Sequence, residues 1–102
     1  MAKPSNRQIE KHIRLSAQES ANVAITAHAR ARMRLRQVNE PMVFEVLRRG
    51  NLALRPEPDP KQPGLLCRMR RFVAGVTVAV VSYLEYPEPD LTVVTVIDIK
   101  KD

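Results

Sequence analysis

The chain reads as an α+β domain in which N-terminal helices pack on one face of an antiparallel β-sheet. Three features predict this. Apolar residues recur at helical spacing up to about residue 49, they alternate from residue 51 onward, and turn residues break the alternating half into short runs. Hydrophobic residues make up 44 % of 102, with no Trp, two Phe and two Tyr, so the one core that a chain of this length buries has to be aliphatic. No internal repeat is visible.

Residues 5–19, SNRQIEKHIRLSAQE, form the first predicted helix, opened by Ser5 with Gln8 at the capping-box position. Its apolar content is only Ile9, Ile13, Leu15 and Ala17, a thin stripe that suits a docking helix, a mobile arm or a dimer contact. Val23 to Ile25 is a short extended segment. Thr26 caps a second helix from Ala27 to about Arg36, with Ala29 and Met33 as its apolar face and Leu35 to the side. Asn39 caps a third, Pro41 occupies its first turn, and Gly50 closes it after Arg48 and Arg49. Val43, Val46 and Leu47 are the buried face of that helix, with Phe44 alongside.

Asn51 to Arg55 reads as a short strand. The run PEPDPKQPG, 56–64, reads as loop because four prolines in nine residues oppose regular structure. Leu65 to Phe72 alternates Cys67 and Met69 with Arg68 and Arg70, and Phe72 is expected in the core. A tight turn at Ala74-Gly75 leads into VTVAVVSYL, Val76 to Leu84, the most apolar strand and the expected centre of the sheet. After the turn YPEPD, Leu91 to Ile99 sets Leu91, Val93, Thr95, Ile97 and Ile99 against Thr92, Val94, Val96 and Asp98.

Lys and Arg number 17 against 11 Asp and Glu, a net charge of +6, which favours a polyanionic partner. Twelve of the 17 are arginine, the side chain that holds phosphate or carboxylate in a bidentate manner. Four of these follow His28 in THARARMRLR. On a helix His28, Arg32 and Arg36 share one stripe at i, i+4 and i+8, and Arg30 and Arg34 share the next. Like charges so placed cost an isolated helix roughly 0.2–0.5 kcal/mol per pair, which calls for an anion to set against them.

The stretch ITAHARARMRLRQVNEPMVFEVLRRGN resembles the opening of a bacterial family of small domains of unknown function, whose signature is a helix HAxxRMxxR, a polar cap and a second helix ending in Gly. His28, Ala29, Arg32, Met33 and Arg36 match it, and TVVTVID resembles the family's closing strand. The resemblance covers about residues 23–99, dividing the chain into an N-terminal helical extension, 1–22, and an α+β domain, 23–102. Gln37 departs from the glycine usual in the family, as does the long proline loop. The family is similar to the RelE/ParE toxins of toxin-antitoxin pairs, which implies two helices on a curved antiparallel sheet that carries nucleic-acid-facing residues. It implies, more loosely, a metal-free ribonuclease or a descendant that kept the binding surface.

Metal-free RNA cleavage needs a base, an acid and cations that offset charge on the phosphorane. His28 can move a proton near neutral pH, and Arg32 and Arg36 can clamp phosphate. Tyr83, Glu85 or Arg70 could add a second group from the sheet, and Tyr83 completes the candidate catalytic set. Arg30, Arg34, Arg68 and Arg70 are the candidate nucleic-acid contacts. Blander roles compete: His28 satisfied by a carbonyl or carboxylate, Arg32 and Arg36 paired with Asp98, Glu40 or Glu45, and Arg30 and Arg34 simply solvated. His12 reads as structural.

Cys67, the single cysteine, reads as a buried hydrophobe and excludes a disulfide-stapled scaffold. Histidines at 12 and 28 with one cysteine give no metal-ligand spacing, and Gly50, Gly64 and Gly75 are isolated turn residues, so neither metal nor cofactor is expected. The polar start MAKPSNRQIEKHIRL and the lack of a long apolar run make a reducing cytoplasm the expected compartment, without a membrane. Two functions follow as expectations. The first is an RNA- or ribonucleoprotein-binding domain, in its stronger form an endoribonuclease. The second is a non-enzymatic module that docks an acidic protein and dimerises through the first helix.

Overall fold

Side-chain caps fix where the helices begin. Ser5 Oγ accepts from the Gln8 N–H at 3.1 Å while Gln8 Oε1 accepts from the Ser5 N–H at 2.7 Å, closing the expected capping box. Thr26 Oγ1 accepts from the Ala29 N–H and Asn39 Oδ1 from the Met42 N–H, both at 3.0 Å. Caps of this kind contribute about 1 kcal/mol each. A computed structural model describes residues 3–101, and of residues 98–101 the backbone alone. Within them lie α1 (Asn6–Ser16), β1 (Val23–Ile25), α2 (Ala27–Arg36), α3 (Glu40–Arg49), β2 (Asn51–Leu52), β3 (Glu57–Pro58), β4 (Leu65–Val73), β5 (Val76–Leu84) and β6 (Leu91–Lys101). The α+β reading holds.

The strands form one open sheet in the order β1-β6-β5-β4-β2, with β3 on β4. It is mixed rather than antiparallel, because β1 pairs parallel with β6, Val23 to Ile25 facing Leu91 to Val93. A strand of three residues announces no partner in the sequence. The expected strand at 51–55 shrinks to two residues, although the Ala53 N–H still donates to the Arg68 carbonyl at 2.8 Å. Within the proline loop, Glu57 and Pro58 pair with Leu66 and Leu65, so proline is tolerated there on a short outer strand.

Regular alternation fails in β6. Val81 faces Thr95 and Ser82 faces Val93, so Val94 is an extra residue, a bulge that reverses the phase beyond it. Val96 is therefore buried where Thr95 and Ile97 were expected to be, and these two turn to the other side. Phe72 also differs: it lies 61 % exposed, on the side of β4 opposite buried Cys67 and Met69.

Alternate sheet residues Cys67, Met69, Val78, Val80, Leu84, Leu91 and Val93 share one buried cluster with Ile9, Ile13, Ala29, Met33, Val43, Val46 and Leu47 of the helices. α1 is thus docked within the chain. Arg14 donates from Nε and Nη2 to the Gly50 carbonyl at 2.9 and 2.7 Å, Arg48 Nε donates to the Ala17 carbonyl at 2.7 Å, and the Leu52 N–H donates to Glu10 Oε2 at 2.7 Å. Gln37 ends α2 in the left-handed region at φ 57°, which costs a residue with a Cβ about 1–2 kcal/mol relative to glycine. None of the described helices is long and apolar enough to cross a membrane.

Candidate functional site

α2 springs from the edge of the sheet. The Thr26 N–H donates to the Val93 carbonyl at 3.1 Å and its hydroxyl to the Val94 carbonyl at 3.5 Å, which starts the helix beside the bulge of β6. Ala29 and Met33 turn into the core, and helical geometry leaves His28, Arg32 and Arg36 one above another on a neighbouring face. These three line one hollow of about 440 Å³ with Val94, Thr95, Val96 and Ile97. Consecutive strand residues point to opposite faces, so a hollow touching four in a row runs along the strand's outer edge. β1 covers that edge only from Leu91 to Val93.

His28 and Arg36 are exposed and Arg32 is half-buried. None of the three makes a side-chain hydrogen bond or ion pair among the described residues. Two of the carboxylates expected as their alternative partners are engaged elsewhere: Glu40 with Arg30 at 2.7 Å, and Glu45 with Arg71 at 3.0 Å. The side chain of Asp98, the third candidate, lies outside the described residues. Arg30, an expected nucleic-acid contact, is therefore in an exposed ion pair of the kind that contributes at most about 1 kcal/mol. Arg34 is exposed and projects beside it.

Arg68 and Arg70 stand on the sheet face opposite the buried cluster, and strand pairing connects them to the hollow. Arg68 faces Val81 and Val81 faces Thr95, while Arg70 faces Ala79 and Ala79 faces Ile97. Thr95 and Ile97 also line the hollow beneath Arg32 and Arg36. Both arginines thus border the surface that reaches the α2 groove.

Tyr83 does not meet His28. It lines a separate hollow with Leu84, Glu85, Glu88, Asp90 and Thr92, and its hydroxyl donates to Glu85 Oε2 at 2.6 Å while accepting from the Gly64 N–H at 2.9 Å. Lost hydration, then the bond to Glu85, push its pKa above the ordinary 10.0, with the Gly64 N–H working against them. A phenol held in its neutral form stabilises the fold fully below pH 10.0, and the contribution is lost as pH rises through the raised value. The difference between ultraviolet titrations of wild type and Tyr83→Phe should show the Tyr83 phenol ionising above pH 10.0, and thermal stability should fall more steeply there in the wild type than in that variant. A difference titration that places Tyr83 at its ordinary value would contradict the geometry.

Cys67 is buried and its thiol is pushed up to about 12, so no thiolate nucleophile exists there near neutrality. His12 Nε2 donates to the Glu88 carbonyl at 2.8 Å and its ring meets Tyr86 edge-on, which is the structural role expected. Among the described residues no group of three or more His, Cys, Asp or Glu side chains could hold a metal ion. The edge residues Val94 to Ile97 and exposed Phe72 escaped the sequence reading. The adjacent pair Val93-Val94 was the available signal for the first, since it breaks strict alternation.

Comparison of the chain with family models, curated proteins and solved structures finds no match. Fold and groove define its class on their own terms. It is an α+β domain whose second helix lays a histidine and two arginines along an uncovered strand edge.

Proposed function

We propose that this chain is a RelE-like domain that binds RNA or a ribonucleoprotein through the groove of His28, Arg32 and Arg36. One observation carries the reading: three side chains suited to phosphate line a single hollow, with no carboxylate partner among the described residues. The chain order is compatible with the RelE likeness, since α2 and α3 precede the antiparallel strands β4, β5 and β6 and share a buried cluster with them; the parallel pairing of β1 with β6 departs from the antiparallel sheet the likeness implies. Backbone recognition of this kind releases counterions, so affinity falls steeply with salt.

Binding draws more support than cleavage. His28 can move a proton, but Tyr83 sits in another hollow with its hydroxyl already bonded to Glu85, so among the described residues the groove holds one proton-transfer group rather than two. The reading as a dimeric protein-docking module draws less, because the apolar stripe of α1 is spent in the chain's own core.

RNA affinity measured across a salt series tests the proposal. Each lost phosphate contact on a single strand should flatten the log–log slope by about 0.7, so Arg32→Ala/Arg36→Ala should lower it by roughly 1.4. Affinity without a salt slope, or unchanged in the double variant, would end it.

A further inference from the structure

Phe72 is a large aromatic ring left 61 % exposed on a strand that carries Arg68 and Arg70 on the same face. Alternate residues of a strand stand about 7 Å apart, so the two guanidinium groups and the ring form a row along β4. Across the sheet, about 10 Å away, Thr95 and Ile97 of β6 begin the groove beneath Arg32 and Arg36. Between the two lie Val81, half-buried, and Ala79, fully buried although it faces away from the core. Charge on this face is graded. Glu57 opposes Leu66 at one end, where Tyr83 also holds Glu85, while the arginines and Phe72 lie toward the other.

We infer that the nucleic acid bound here is single-stranded and crosses this face from the α2 groove to β4, stacking a base on Phe72 with its phosphates on Arg68 and Arg70. The inference rests on the nucleic-acid reading above. Bases of a duplex are stacked on one another and offer no free ring face, whereas the unstacked bases of a single strand lie flat on an exposed aromatic. An acidic chain without aromatic or arginine side chains, such as polyglutamate, would satisfy the arginines but leave the ring without a stacking partner. The acidic end of the face repels phosphate and so confines the strand to the Arg68–Phe72 half.

The test is fluorescence anisotropy with a short single-stranded RNA, a duplex of equal length and polyglutamate as competitor, on wild type, Phe72→Ala, Phe72→Tyr and Arg32→Ala/Arg36→Ala. Single-stranded RNA should bind more tightly than duplex. Phe72→Ala should weaken it roughly tenfold without changing the salt slope, since stacking carries no charge, and Phe72→Tyr should keep the affinity. Exposure of the ring makes a folding defect unexpected, and a thermal melt of each variant checks this. Wild-type affinity in Phe72→Ala, equal binding of duplex, or equally effective competition by polyglutamate would overturn the inference. If RNA binding is lost in the arginine variant yet untouched in Phe72→Ala, only the single-strand path falls. If the wild type binds no RNA at all, both readings fall.

Discussion

Ile13→Ala is expected to lower the unfolding free energy by roughly 2–5 kcal/mol, the range for truncating a fully buried aliphatic side chain. Ile13 is 0 % exposed and belongs to the cluster that joins α1 to α3 and the sheet. For a domain of this size such a loss lowers the melting temperature by about 10 °C or more. Leu15→Ala, two residues away and 62 % exposed, should change little. Urea denaturation of the pair decides whether α1 is part of the folding unit or an arm laid against it. Equal midpoints for the two variants would mean that α1 contributes nothing to the core, and would return the first 22 residues to the role of a detachable contact.

Gly50→Ala is expected to be comparably severe for a different reason. Gly50 has φ −77° and ψ 180°, a backbone any residue can adopt, so conformational freedom is not what the position requires. Space is. A Cβ there would overlap the Val46 carbonyl oxygen and lie 2.8 Å from the Arg70 carbonyl oxygen, both of them backbone atoms that a rotamer change cannot move. Arg14 grips the Gly50 carbonyl as well, so relief would pull α3, β4 and α1 apart together. Overpacking costs about 1–3 kcal/mol and more where backbone must shift, so a loss of about 3 kcal/mol is expected by denaturant titration. A variant with the wild-type midpoint would refute the close approach. Arg70 sits on the strand that would be displaced, so under the nucleic-acid function we propose RNA affinity should fall along with stability.

Much of the fold was legible because its signals are local. Ser5, Thr26 and Asn39 each satisfy an amide within their own first turn, so a reader of the sequence sees both the donor and the acceptor. The stripe of His28, Arg32 and Arg36 is local in the same sense, since helical repeat alone aligns it. Phe72 was legible but misread: counting by two from Arg68 through Arg70 places it on the outer face, and only the general preference of Phe for cores argued otherwise. Gly50 was correctly placed at the end of α3, as the residue that closes the helix. The approach of the Arg70 backbone, twenty residues on, supplies the reason for glycine there.

By itself the sequence determined the order of the elements, the caps, the aliphatic composition of the core and the cationic face of α2, all of which depend on residues within a turn or two of one another. Only the tertiary structure decided that β1 joins β6 in parallel, that Val94 bulges, and that the cationic stripe faces a strand edge that β1 leaves bare. Helices satisfy their hydrogen bonds within one segment, whereas a strand finds its partner far along the chain. The site lies where these two kinds of order meet.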